Sequence, residues 1–291
     1  MVAVLILGGT GMLGGAVVKE FSGFDGRLLV SSRGGHIMSL DQTIEQVAFD
    51  AKSDSVGGAL QSLVAGDYVI NCIGVIKSEI DESSVSSREN ATRVNSEFPR
   101  TLAAEAENRA IRVIQIATDC AFSGKTGKYS ESSPHDALDH YGVTKSRGEV
   151  ESESMMHLRV SIIGPETRGH TSLYDWVSRQ PRNAEITGYV NHRWNGIPAK
   201  HFGKLARGIV ESGDYSAGVH HVIPHDEVTK YELVNLIAEH SKRADIQIEP
   251  GLASDHVDRT LATNNPEFNR RLWANAGYST LPTIAALVAE I

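Results

Sequence analysis

Short apolar runs alternate with segments of helical period through the first half of the chain. The runs Val2 to Leu7, Arg27 to Ser31, Gln46 to Phe49, Tyr68 to Cys72, Arg112 to Ala117 and His157 to Ile163 have strand length. Between them lie helix-like stretches, notably Met12 to Phe21, Val56 to Val64, Val94 to Asn108 and Tyr141 to Glu151. Strands apolar on both sides need cover on both faces, which the intervening helices supply. The pattern predicts an α/β fold, a doubly wound Rossmann-type parallel sheet.

After Gly164 the pattern loosens into a loop holding Pro165, Gly169 and His170, followed by a short amphipathic segment from Ser172 to Ser178. Helices are then expected at Lys200 to Glu211, Lys230 to His240 and Thr283 to Glu290, with a strand at Gly218 to Ile223. Residues 164–291 therefore read as a mixed segment, a small C-terminal substrate-binding lobe plus elements returning to the core.

Composition narrows the classes. With 291 residues the chain can bury a large core, and 41% hydrophobic residues is ordinary for a globular protein. A net charge of −8 argues against a nucleic-acid partner. The N-terminal apolar run is too short for a membrane span and lacks the flanks of a secretion signal, so a cytoplasmic location without membrane contact is expected. Cys72 and Cys120 fall in apolar runs and read as buried thiols, too few for a disulfide framework. No metal site is expected: His220 and His221 are adjacent on a strand and face opposite ways. Trp176 and Trp273 read as core.

Gly8, Thr10, Gly11, Met12, Leu13 and Gly14 lie between the first strand and the first helix. That is where a dinucleotide's pyrophosphate meets backbone N–H groups and the positive end of a helix dipole. The glycine spacing differs from the usual G-x-G-x-x-G, but the strand and helix on either side are the context it requires. The second strand ends in Ser31, Ser32 and Arg33, without the carboxylate that holds an NAD ribose. Hydroxyls and a guanidinium suit a 2′-phosphate, so NADP(H) is expected and NAD(H) is the alternative. Asp50, after the third strand, is a candidate acceptor for the adenine amino group. Residues 1–163 would then be an NADP-binding Rossmann core.

Tyr141 and Lys145 stand four apart, on one helix face, as either a catalytic pair or a tyrosine beside a solvated lysine. Thr118 ends the fifth strand, at the carboxyl edge where doubly wound sheets bind ligands. An ammonium about 4 Å from a phenol, at an effective dielectric of about 20, would lower its pKa by roughly three units.

The segments "GGTGMLGGAV", "VINCIG", "RVNSEFPRTLA", "TDCAFSGKTGKYSE", "YGVTKSRGE", "LRVSIIG" and "WNGI", in this order, resemble the extended short-chain dehydrogenases/reductases, and among them the dTDP-4-dehydrorhamnose reductase-like sugar-nucleotide ketoreductases. The resemblance implies that Tyr141 is the proton donor, that Thr118 bonds the reacting carbonyl oxygen, and that Lys145 holds the nicotinamide ribose and tunes Tyr141. It places Asn71, Cys72, Ile73, Gly74 and Asn95 beside the cofactor. For the substrate, a nucleotide sugar, it offers Thr118, Asp119, Cys120, Arg193, Trp194, Asn195 and Arg259; Cys120 stands where reductase relatives carry an aromatic residue. A homodimer is compatible with it. So are an epimerase, another ketoreductase, and a catalytically silent subunit, since the methionine adenosyltransferase β subunit is similar to these reductases.

Overall fold

All five residues of β1 (Ala3–Leu7) are buried. Val4 and Ile6 enter one apolar cluster and Ala3, Leu5 and Leu7 another, so this strand is covered on both faces. In the computed structural model, which describes residues 1–34, 44–166 and 169–291, β1 is an inner strand of a seven-stranded parallel sheet. Beside it lie β2 (Arg27–Ser32) and β3 (Glu45–Ala48) on one side. On the other lie β4 (Tyr68–Asn71), β5 (Arg112–Ala117), β6 (Met155–Arg159) and a returning strand, Gly218–His221. The sheet is the doubly wound Rossmann type that the hydrophobic pattern predicts, with the order reversing between β1 and β4.

Helix α1 (Met12–Glu20) packs with the C-terminal helices Ala199–Ser212 and Pro266–Asn275 on one face. On the other face lie α2 (Val56–Ala59) and, following α3 (Val85–Thr92), α4 (Phe98–Asn108). The second half of the chain thus supplies both cover and an edge strand for the first. Its remaining strands form small sheets with the helix Lys230–His240.

Several elements differ from the sequence pattern for local reasons. Helix α2 stops after four residues, in a stretch carrying Gly57 and Gly58, poor helix formers. Helix α3 buries only Ala91, so no apolar stripe announces it. Between α3 and α4 the chain runs as a π-helix, Arg93–Glu97. The run His157 to Ile163 splits: β6 ends at Arg159, and Ile162–Ile163 leaves to pair with Ile197–Pro198. Trp273 is buried, but Trp176 is 42% exposed, because its neighbours Asp175 and Val177 turn inward and helical neighbours point about 100° apart. Part of the loop expected after Gly164, residues 167 and 168, lies outside the described residues. Among the described residues no helix is long and apolar enough to cross a membrane.

Candidate active site

The glycine loop is shaped by close backbone approach. Gly8 has φ +83°, and a Cβ on Gly14 would lie 2.1 Å from the Gly8 carbonyl oxygen, so the start of α1 rests directly on the loop. Two bonds to β2 fix it: Gly8 N–H donates to Ser31 Oγ at 3.0 Å and Gly9 N–H to Ser31 O at 3.0 Å. Gly11, the N-cap of α1, offers no side chain to its first N–H groups. That bare helix start, with Thr10 and Gly11 exposed and Leu13 packed beneath, fits a dinucleotide pyrophosphate. Ile73 flanks Gly8 closely, which brings the end of β4 beside the loop.

The side chains expected around the adenosine divide into braces and exposed groups. Ser31 is fully buried and its hydroxyl holds Gly8, so it braces the loop instead of facing a 2′-phosphate. Ser32 is also buried, while Arg33 is exposed at the strand end. Asp50 Oδ1 accepts from Lys52 N–H at 3.0 Å, a local turn bond. Asn71 Nδ2 donates to Gln115 Oε1 at 2.7 Å and its Oδ1 accepts from Ile73 N–H at 3.0 Å, so its amide shapes the backbone at Cys72, Ile73 and Gly74. Asn95, in the π-helix, bonds both backbone groups of Val75 at 2.9 Å and Thr144 Oγ1 at 3.2 Å. It ties the loop after β4 to the next helix.

That helix, α5 (His140–Arg147), begins at Asp139, whose carboxylate accepts from Gly142 N–H at 2.8 Å and from Lys77 Nζ at 2.7 Å. A Cβ at Gly142 would lie 2.1 Å from Cys120 O, so α5 sits hard against the turn after Thr118. Thr118 caps that turn, accepting from Cys120 N–H at 3.2 Å. Thr118, Tyr141 and Lys145 therefore meet at the carboxyl edge of β5. Burial pushes the Tyr141 phenol above its ordinary value, neighbouring Cys120, Asp119 and Asp139 add to this, and only the Thr118 hydroxyl opposes it. Lys145, 8% exposed, donates to Ile116 O at 2.9 Å. Burial lowers it to about 8, against the pull of Glu149. Burial thus outweighs the lowering expected from Lys145, whose ammonium is directed at a strand carbonyl.

Beyond Thr118 the site becomes charged. Asp119 is 8% exposed, and burial raises its carboxyl while Arg259 and Lys230 pull it down. Arg259 donates to Phe122 O at 2.9 Å, which secures it beside this turn. Lys230, not anticipated from the sequence, lies 5.6 Å over the Trp194 ring and is lowered by burial while Asp119 and Cys120 favour its charge. Its position at the start of a helix gave no sign that the loop carrying Asp119 would fold back onto it. Burial, with Asp119 nearby, pushes the Cys120 thiol up to about 12, yet both cysteines are partly exposed instead of wholly buried.

Of residues 193–195, expected at the substrate, Trp194 and Asn195 are buried and Arg193 is partly exposed in an ion pair. Trp194 is 3% exposed and donates to Ser161 Oγ at 2.9 Å, so its face is core and not a stacking platform. Arg193 pairs with Glu227 at 2.5 Å. Asn195 holds Leu261 by both backbone groups, at 2.8 and 2.9 Å.

Known proteins resemble this chain along nearly its whole length. Methionine adenosyltransferase 2 subunit beta from Danio rerio is 28% identical over 248 residues, covering 81% of this chain and 73% of that protein. The structure of a dTDP-4-dehydrorhamnose reductase from Bacillus anthracis in complex with NADP superposes with a TM-score of 0.78 at 17% identity, covering 100% of this chain and 98% of that one. MoeE5 in complex with UDP-glucose and NAD gives 0.74 at 18% identity, covering 99% and 96%. At such identities the two structures speak for a shared fold, in proteins that bind NADP or NAD. The family described as RmlD substrate binding domain matches residues 2–290, and the chain belongs to that family, within the extended short-chain dehydrogenases/reductases.

Proposed function

We propose that the protein reduces a nucleotide-linked 4-keto-6-deoxy sugar with NADPH, in deoxysugar or polysaccharide synthesis. The observation that carries this reading is the meeting of Thr118, Tyr141 and Lys145 at the edge of β5, next to a glycine loop shaped for a dinucleotide. The loop with Met12, Leu13 and Gly14 would hold the pyrophosphate, Arg33 the 2′-phosphate and Lys145 the nicotinamide ribose. NADPH, when bound, supplies the hydride.

The chain's own residues manage the carbonyl oxygen. Burial keeps Tyr141 protonated at working pH, the state a reductase's donor needs. As the carbonyl carbon takes the hydride, the C=O electron pair moves to oxygen and Tyr141 gives that oxygen its proton. Thr118 donates a hydrogen bond to the same oxygen as charge builds. The phenolate left behind recovers its proton from solvent. Arg259 and Lys230 would receive the anionic part of the nucleotide sugar.

The similarity to methionine adenosyltransferase 2 subunit beta favours a second reading, an NADP-binding subunit that serves another enzyme. NADPH oxidation measured against dTDP-, UDP- and GDP-linked 4-keto-6-deoxy sugars separates the two. Turnover with a member of the panel supports the reductase, and silence across the panel with intact NADPH binding supports the subunit. NAD-dependent interconversion of sugars without net oxidation would identify an epimerase.

A further inference from the structure

At the carboxyl edge of the sheet, Ala117, Arg159 and His221 stand side by side on three neighbouring strands, one residue before Thr118. Arg159 is 1% exposed, and all of its guanidinium nitrogens are engaged. Nε donates to Glu149 Oε1 at 3.1 Å, and Nη2 also reaches Glu149. Nη1 donates to His221 Nε2 at 2.6 Å and Nη2 to His135 Nε2 at 2.8 Å. A guanidinium can only donate, so both imidazoles accept with Nε2 and carry their proton on Nδ1. Those protons go to Ala262 O at 2.6 Å and Ser146 Oγ at 2.5 Å. The cluster therefore joins β6, the end of α5, the loop before α5 and the C-terminal segment. Glu131 adds a second tie, accepting from His221 N–H, Thr263 Oγ1 and Asn264 N–H.

Glu149 lies four residues after Lys145, on the turn that closes α5. Lys145 reaches across to Ile116 O, next to the Ala117–Arg159 pair. A carboxylate held rigidly by a buried arginine is a fixed charge, and a fixed charge near a buried ammonium decides how long that ammonium survives as pH rises. We propose that Arg159 and Glu149 are a positioning pair for Lys145, seating the end of α5 and supplying the negative charge that keeps the lysine an ammonium in its buried place. The inference rests on the reading of Lys145 as the group that holds the cofactor's ribose. Other titratable groups face Lys145 from the elements packed on it: Cys72 after β4, which favours its charge, and His157 on β6, itself lowered mainly by burial. His135 and His221 face Glu149 and are neutral in these bonds. Glu149 is thus the carboxylate through which the cluster reaches Lys145.

The test reads Lys145 directly. Competitive acylation with acetic anhydride across neutral to alkaline pH, followed by peptide mass spectrometry, gives the titration midpoint of Lys145 in the full chain. In the wild type it should fall near 8. Glu149→Gln keeps the shape of the pair and removes the charge, so the midpoint should drop by about one unit. The upper pH limit of NADPH binding should drop with it. Glu149→Asp keeps the charge but withdraws it by one methylene, and should give a smaller drop in the same direction. A brace without electrostatic duty would lower the melting temperature of these variants and leave the midpoint in place. An unchanged midpoint in either folded variant, or an ordinary lysine midpoint in the wild type, overturns the inference. Acylation needs no turnover, so a wild type silent on every sugar would remove the reductase reading while the Lys145 midpoint still decided this one.

Discussion

Tyr141 and Arg33 carry the two sharpest expectations at the scale of single residues. Tyr141→Phe removes the phenolic proton and little else, since the ring stays in its place against the turn at Cys120. Turnover should fall by roughly 10²- to 10⁴-fold, the range for a lost general acid, while NADPH titrated by fluorescence binds within about twofold of the wild type. Retained turnover would remove Tyr141 from the chemistry. Arg33 is the exposed cation among the three residues ending β2, with Ser31 and Ser32 buried behind it. Arg33→Ala should weaken NADPH about tenfold or more, the loss of a charge-assisted bond, and leave NADH nearly unchanged; equal losses in parallel titrations would return the cofactor preference to NAD. Thr118, Tyr141 and Lys145 could be singled out as candidates in the sequence, because a strand-end hydroxyl and an i, i+4 pair are local patterns and the family resemblance gave them roles. Their protonation was not: the distance from charge to phenol and the depth of burial come from elements far apart in sequence.

Helix α5 shows what the element scale adds. Its start is fixed by Asp139 and its seat by Gly142, whose missing side chain lets the helix touch the Cys120 carbonyl. Gly142→Ala would force a Cβ into that contact. The expected result is a folded protein destabilised by about 1–3 kcal/mol in urea, with a larger fractional loss of turnover than of NADPH affinity, because the helix shifts Tyr141 away from Thr118. An alanine variant with wild-type kinetics would show that α5 tolerates displacement. Periodicity placed this helix within a residue of its observed start, yet the π-helix at Arg93–Glu97 was read as part of an ordinary helix. The extra residue in that turn responds to Asn95 gripping Val75 and Thr144, contacts that no helical period records. Trp194 is a like case: a tryptophan in a polar-looking run leaves packing and substrate contact both open until its strand pairs and buries it.

On the scale of the whole molecule, the C-terminal half carries buried histidines whose charged form burial opposes. His221 bonds Arg159 and Ala262, and burial lowers it to about 4. His201 is fully buried on the helix Ala199–Ser212 and likewise lowered to about 4, with Nε2 3.4 Å from Glu290 but outside hydrogen-bond geometry. An unfolded histidine takes its proton near pH 6.5, whereas these two resist until about 4. Each therefore leaves stability unaffected above about pH 6.5 and withdraws it as pH falls towards 4, by up to ~3 kcal/mol per histidine. Melting temperatures should decline steadily over that window, and His201→Gln should flatten the decline even where it lowers the neutral-pH value. A slope unchanged by the substitution would assign the acid loss to carboxylates instead.

The sequence by itself determined the sheet and marked candidate residues at its edge. Runs apolar on both sides demand cover on both faces, a glycine loop between strand and helix admits an anion, and Thr118, Tyr141 and Lys145 announce themselves by type and spacing. Tertiary structure decided everything that depends on which distant segments meet. It gave Ser31, Asn71, Asn95, Trp194 and Asn195 bracing hydrogen bonds, brought Lys230 and Arg259 to Asp119, and placed Arg159 where one guanidinium reaches Glu149, His135 and His221. Burial and electrostatics depend on proximity in space, and a linear pattern records proximity only for neighbours within a few residues.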